Sequence, residues 1–369
     1  MCRVPFFIAA LGLALAISLP ARAAEVTLFG KKYNVVQQSR AQTFKKADGS
    51  QVTVRVVPRD LGTQLANVHF VEGADPSKDR LFVGCNILAD SELRAHQFYL
   101  LTGADANGVF TPESATITEF FGGAQNMHRG GRPTGFMWLN DIDTGVGKDR
   151  NIAISTFWNA DYYRLFDLDK MTGVAGEDEE NGQPTDAVFS LLLGDANSPG
   201  TGFTCYARMP QHDGHTAVVF ANAGGAAVGV WDTRKDEFFP VSTNFADVVT
   251  DFAVEYRPTS AIHYAGNEYW VLLHDTEPGP ALGGAAVTST RLSRVRLTFP
   301  ADLANAQPGS IKVEILEAQE LKGSPLHGAG PDGEGFVYGI AKGREVAPGL
   351  PRLYFGDSEG NIFTATPIP

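Results

Sequence analysis

Eight side chains in this sequence carry chemistry that suits a shared polar site. His128, Arg129 and Arg132 lie in or beside the glycine-rich stretch 122–131. There, backbone N–H groups and guanidinium groups can converge on an anion or a carboxylate. The spacing is not that of a phosphate-binding P-loop. Trp158 and Asp161 set an aromatic face near an acid, His274 and Asp275 are adjacent, and His327 stands between Leu326 and Gly328. Cationic, aromatic and acidic groups together suit a polar ligand. A His with a carboxylate also suits hydrolysis, provided the two come within about 3 Å of the proton to be moved.

Other chemistry is sparse. The chain has no His-Glu-x-x-His, no Cys-x-x-Cys and no Gly-x-Ser-x-Gly. Asp105-Ala106-Asn107-Gly108 is similar to the start of an EF-hand calcium loop, but the third acid is missing and Phe110 intrudes. The run Glu177-Asp178-Glu179-Glu180 reads as a solvated loop, and His212 with His215 as a surface turn. His69 and His263 read as hydrogen-bonded structural groups near strand starts. No cofactor is specified and no residue is assigned as a metal ligand; calcium is the alternative these acids leave open. The ligand is left open between a small molecule, a glycan and a protein.

What must position these residues is a repeat. Long helical periodicity is absent, and short β-branched and aromatic runs alternate with turn residues. One unit recurs: a short strand, a turn rich in Asp, Gly, Lys or Pro, then a more apolar strand. Its copies are Asn67–Val71 with Arg80–Gly84, Thr134–Trp138 with Arg150–Ile154, Thr201–Tyr206 with Thr216–Phe220, and Ser260–Tyr264 with Tyr269–Leu273. A fainter copy pairs Leu326–Gly328 with Phe336–Ile340. Third strands are expected at Tyr163–Asp169 and Val228–Arg234, and outer fourth strands at Ala187–Leu191 and Ile311–Leu316. Counted from Arg80, Arg150, Thr216, Glu268 and Gly335, second strands start 70, 66, 52 and 67 residues apart, which suits four-stranded propeller blades with inserted loops. A sheet that is apolar on both faces is buried by stacking on two neighbours, and a closed ring leaves no end face bare.

Arg164-Leu165-Phe166-Asp167 and Val230-Trp231-Asp232 resemble the third-strand endings of Trp-Asp repeat propellers, although the Gly-His partner of that signature is missing. The resemblance implies the superfold, and a superfold does not carry a function. The expectation is an all-β chain forming a single β-propeller of five blades, six being the alternative count. The N-terminal strands Val26–Phe29 and Val52–Val57 join the C-terminal hairpin Arg352–Phe355 and Asn361–Thr364 to close the ring. A β-sandwich with long loops is the competing architecture. In a propeller, the loops between blades and those joining second to third strands surround one mouth of the channel. All eight residues named at the outset fall in such loops.

The N-terminus reads as a secretory leader. Arg3 precedes the apolar run Phe6–Ile17, and Ala21 and Ala23 have the small side chains that signal peptidase needs. A cut after Ala23 leaves one domain, residues 24–369, exported to the periplasm or medium without a membrane anchor. It also removes Arg3 and Arg22, taking the formal charge from −12 to −14. Such a surface repels nucleic acid and anionic lipid. Cys85 and Cys205 remain, on non-adjacent units, as buried thiols or as a disulfide. These observations allow two function classes: a binding module that uses the channel mouth, or an extracytoplasmic hydrolase or lyase acting on a lactone, phosphoester or glycan.

Overall fold

The computed structural model describes residues 23–38, 42–54, 66–86, 96–122, 133–140, 151–157, 162–167, 188–192, 203–209, 216–222, 226–232, 237–244, 255–276, 287–303, 309–326, 337–357 and 361–369. The described residues are strands and turns, with one short 3-10 turn at Pro76–Lys78. The chain opens with β1 (Ala23–Leu28) and β2 (Lys31–Gln38). Next come β3 (Gln42–Lys45), β4 (Gln51–Val54), β5 (Ala66–Val71), β6 (Arg80–Asn86), β7 (His96–Thr102) and β8 (Thr116–Gly122). A further group is β9 (Pro133–Asn140), β10 (Asn151–Phe157), β11 (Tyr162–Asp167) and β12 (Val188–Leu192). It is followed by β13 (Phe203–Arg208), β14 (Thr216–Asn222), β15 (Ala226–Asp232) and β16 (Glu237–Asn244). Then come β17 (Glu255–Ala265), β18 (Glu268–Thr276), β19 (Val287–Thr298) and β20 (Lys312–Glu320). The last strands are β21 (Val337–Ala347), β22 (Leu350–Asp357) and β23 (Ile362–Pro367).

Among the described residues these strands make five sheets. Three are four-stranded meanders: β9 to β12, β13 to β16 and β17 to β20. The sheet β5-β6-β7-β8 is extended by β3 and β4, with β3 meeting β8 in parallel at Lys45 and Thr116. The remaining sheet has the order β21-β22-β23-β2-β1, so the two ends of the chain share it. The first strand of each sheet faces the first strands of others: β13 packs on β9 and β17, β21 on β17 and β5, and β5 on β9.

Strand β18 shows why the sheets stack. Its run Tyr269-Trp270-Val271-Leu272-Leu273 is buried throughout, with no polar face. Alternate residues go to opposite sides. Tyr269, Val271 and Leu273 join a core with Cys205, Val218, Phe220 and Val230 of the β13–β16 sheet. Trp270 and Leu272 join Leu28, Tyr33, Val35, Leu353 and Phe355 of the terminal sheet. The terminal sheet repeats the pattern: its Ala341 and Tyr354 pack with Val68, Leu81, Leu101 and Ile117 of the β3–β8 sheet. Each of these sheets is therefore covered on two faces by two neighbours, a propeller-like arrangement.

Two expected elements are misplaced. The fifth unit is displaced by one strand: Leu326 sits in a turn, and the run Phe336–Ile340, expected as a second strand, falls in β21 (Val337–Ala347), a first strand. The hairpin turn is at Gly349 (φ +69°), and the more apolar partner strand lies beyond it at Leu350–Asp357. Of the two N-terminal strands expected beside the C-terminal hairpin, only β1 is there, joined through β2, which the sequence reading missed. Strand β4 belongs instead with β3 on the neighbouring sheet. Cys205 is a free, buried thiol, so it does not pair with Cys85; burial pushes the thiol well above its ordinary range.

Candidate functional site

The antiparallel strands give the sheets two unlike ends. At one end, first strands turn into second strands through tight hairpins at Gly266 and Gly349, and the β1–β2 turn at Gly30 joins them. Polar groups at this end are tied to one another. Arg344 of β21 donates from Nε to both oxygens of Asp79, at 2.9 and 2.7 Å, and from Nη2 to Asp79 Oδ1 at 2.6 Å. It also reaches Gly73 O at 2.5 Å and Glu72 Oε1 at 2.9 Å. Asp79 is fully buried and accepts from Gly73 N at 2.9 Å. This fork binds the terminal sheet to the β3–β8 sheet.

The calcium-like loop lies at the same end. Asp105 Oδ1 accepts from Asn107 N and Val109 N, both at 2.8 Å, and this carries Phe110 into the core. Gly108 has φ +76°, and a Cβ there would sit 2.1 Å from Arg352 Nη1. Tyr354 donates to the Gly108 carbonyl at 2.9 Å. Asp105 thus holds a turn. Among the described residues, no three His, Cys, Asp or Glu groups gather as a metal site.

Glu268 and Arg294 form a bidentate pair here, at 2.6 and 2.9 Å, and Trp270 Nε1 donates to the same carboxylate at 3.2 Å. Burial pushes the Glu268 carboxyl up, but the Arg294 and Trp270 hydrogen bonds outweigh it and hold the group below its ordinary 4.5. A depressed folded-state pKa gives stability that is present above the unfolded value and lost as pH falls through the folded one. Acid titration of unfolding should therefore show a stability loss below about pH 4.5 that is smaller in Glu268→Gln. An identical acid slope in the variant would remove Glu268 from this account.

At the opposite end second strands finish and first strands begin, as at Asn86, Thr276 and Glu255. Residues His128, Arg129, Arg132, Trp158, Asp161 and His327 lie outside the described residues. His274 and Asp275, expected in a loop, are instead the penultimate residues of β18. The backbone register sets Arg257, His274 and Thr290 in one row across β17, β18 and β19, and Tyr256, Asp275 and Ser289 in the next. The hydroxyls of Thr259 and Thr290 are buried beside these rows without a partner. The sequence reading missed both threonines.

Other polar groups near these strand ends have structural partners. Asp357 accepts from Asn361 N and Nδ2, both at 2.7 Å, fixing the turn between β22 and β23. Ser260 Oγ joins β17 to β21 through Ile340 N at 3.1 Å and Ile340 O at 3.2 Å. His263 lies far from this end: β17 starts at Glu255, so His263 falls near the hairpin and contacts Gly266 O at 2.8 Å. That is a structural role. His69 is half-buried within β5.

Strand order and two-sided burial define an all-β, propeller-like chain. No protein-family model matches it, and no curated protein does. Among solved structures, it is similar to a candidate glycoside hydrolase from Parabacteroides distasonis, at 10% identity and a TM-score of 0.44, over 89% of this chain and 92% of that one. It is also similar to a chain of a mitotic checkpoint complex, at 10% identity and a TM-score of 0.40, over 99% of both chains.

Proposed function

We propose that the chain is an exported five-bladed β-propeller that binds a polar ligand, glycan or protein at the mouth opposite its hairpins. The observation that carries this is a pair of buried hydroxyls without a partner, Thr259 and Thr290, at the end where the backbone register sets Arg257, His274 and Thr290 in one row. Hairpin-end polar groups such as Asp79, Arg344 and Asp105 are committed to holding sheets and turns together. Buried polar groups are satisfied in nearly all proteins, so an orphan pair beside a His-Arg row marks a place for water or ligand.

The five-blade reading is supported by the five sheets among the described residues and the packing of their first strands, with β2 and β23 joining the chain ends in one sheet. In this ring His128, Arg129, Arg132, Trp158, Asp161, His274, Asp275 and His327 surround one opening. Export rests on the sequence: Arg3, the apolar run Phe6–Ile17 and the small residues Ala21 and Ala23.

The test is a glycan array screened with the mature protein, followed by titration of the strongest oligosaccharide. Removing one charge-assisted hydrogen bond costs about 1.5–3 kcal/mol, so Arg129→Ala or Arg132→Ala should weaken binding at least about tenfold. Unchanged affinity in both, and in His274→Ala, would overturn the site. Release of reducing ends from that oligosaccharide, lost in His274→Ala, would make the same face a hydrolase.

A further inference from the structure

We infer that Lys31 and Lys342 form a binding site for a small oxyanion group, a sulfate, phosphate or carboxylate, at the hairpin end between the terminal sheet and the β17–β20 sheet. This site is independent of the mouth proposed above. Three strands bring it together. Lys31 opens β2, Lys342 lies in β21, and Tyr264 lies near the end of β17. Tyr264 stacks on Trp270, with centroids 4.3 Å apart and the rings 2° from parallel. Lys31 Nζ is 4.4 Å from the Tyr264 ring centroid and Lys342 Nζ is 5.7 Å from it. Two ammonium groups thus share one aromatic ring.

Their hydrogen bonds go to neutral oxygens. Lys31 donates to the Tyr264 hydroxyl and to Gly349 O at 3.2 Å, and Lys342 donates to the Tyr264 carbonyl at 2.6 Å. An ammonium has three N–H donors, so both lysines keep donors to spare. Arg294, Arg296 and Arg344 form ion pairs, whereas among the described residues no ion pair joins Lys31 or Lys342 to a carboxylate. Beneath them Tyr33 is fully buried, and burial first and then the neighbouring Tyr264 push its hydroxyl well above the ordinary range.

The charges facing this point come from every strand packed on it. Glu268 of β18 is already occupied by Arg294 of β19 and by Trp270. Glu345 of β21 accepts from Gly349 N at a long 3.4 Å and is otherwise exposed. Glu317 of β20 acts on Arg294 as well, so Lys31, Lys342 and Arg294 meet three carboxylates, two of which, Glu268 and Glu317, act on Arg294. Burial lowers the pKa of Lys342 from its ordinary 10.5, and Lys31 lowers it further, against the pull of Glu345. An oxyanion spanning both ammoniums would relieve that repulsion and use the spare donors.

Binding is measured with two probes at constant ionic strength: inorganic sulfate, and a sulfated oligosaccharide against its desulfated form. Either probe should bind the wild type, and about tenfold more weakly in Lys31→Gln or Lys342→Gln, with Lys342→Arg restoring affinity. Affinity should also fall as pH rises toward Lys342's ordinary 10.5, and this fall should disappear in Lys342→Arg. Binding of sulfate itself assigns the site to free ions, whereas binding of the oligosaccharide alone assigns it to a sulfated glycan. Circular dichroism shows that each variant is folded. No binding of either probe, or equal binding in the wild type and the folded glutamine variants, would overturn the inference.

Discussion

Arg344→Ala lowers the free energy of unfolding by about 3–5 kcal/mol, a large fraction of what a domain has to spare. The reason is the partner left behind. Asp79 is fully buried, and Arg344 supplies three hydrogen bonds to it, as well as those to Gly73 O and Glu72. Without the guanidinium, a buried carboxylate keeps only the Gly73 N–H at 2.9 Å. Removing both charges is a different matter, because two apolar groups of similar volume cost little where the ion pair itself was expensive to bury. Urea unfolding of Arg344→Ala, Asp79→Leu and the double variant Asp79→Leu/Arg344→Met checks this. The double variant should be more stable than Arg344→Ala. A loss under about 1 kcal/mol in Arg344→Ala would show the fork to behave as a surface pair.

Deleting residues 24–38 should have a larger effect still and abolish cooperative folding. Strand β2 covers β23 along the register from Tyr33↔Pro367 to Gln38↔Ile362. The deletion also takes Val26, Leu28, Tyr33 and Val35 out of the core shared with Trp270 and Leu353. An exposed, apolar edge at β23 then invites pairing with other chains. Size-exclusion chromatography and thermal unfolding would report aggregated or non-cooperative material. A monomer that melts at the wild-type temperature would contradict the role given to the N-terminal strands.

The sequence announced the blades better than their boundaries. Alternating apolar runs at Arg80–Gly84, Thr216–Phe220 and Tyr269–Leu273 marked second strands, because strands buried on both faces have long apolar stretches. The fifth unit was misaligned because Val337–Ala347 contains Gly339 and Gly343, and its inner-strand role depends on packing against β5 and β17. Strand β2, Lys31–Gln38, was hidden by its polar residues, since only Tyr33 and Val35 are fully buried. The hairpin-end chemistry was not legible at all. Arg344 and Asp79 are 265 residues apart, and Lys31 and Tyr264 are 233 apart, distances over which no local motif operates. His274 and Asp275 were assigned to a connector because the last residues of a strand resemble a polar turn.

The central claim is that the residues in the connectors of several sheets gather on one face. Pairs of nitroxide labels test it, placed at residues 128, 158, 274 and 327 and, as an outside reference, at Asn107 in the exposed hairpin-end turn. Cys85 and Cys205 are replaced so that only the introduced cysteines are labelled. Dipolar electron resonance then gives the distances. The account predicts that the four candidate positions lie closer to one another than any of them lies to 107. A candidate position closer to 107 than to the other three would contradict it.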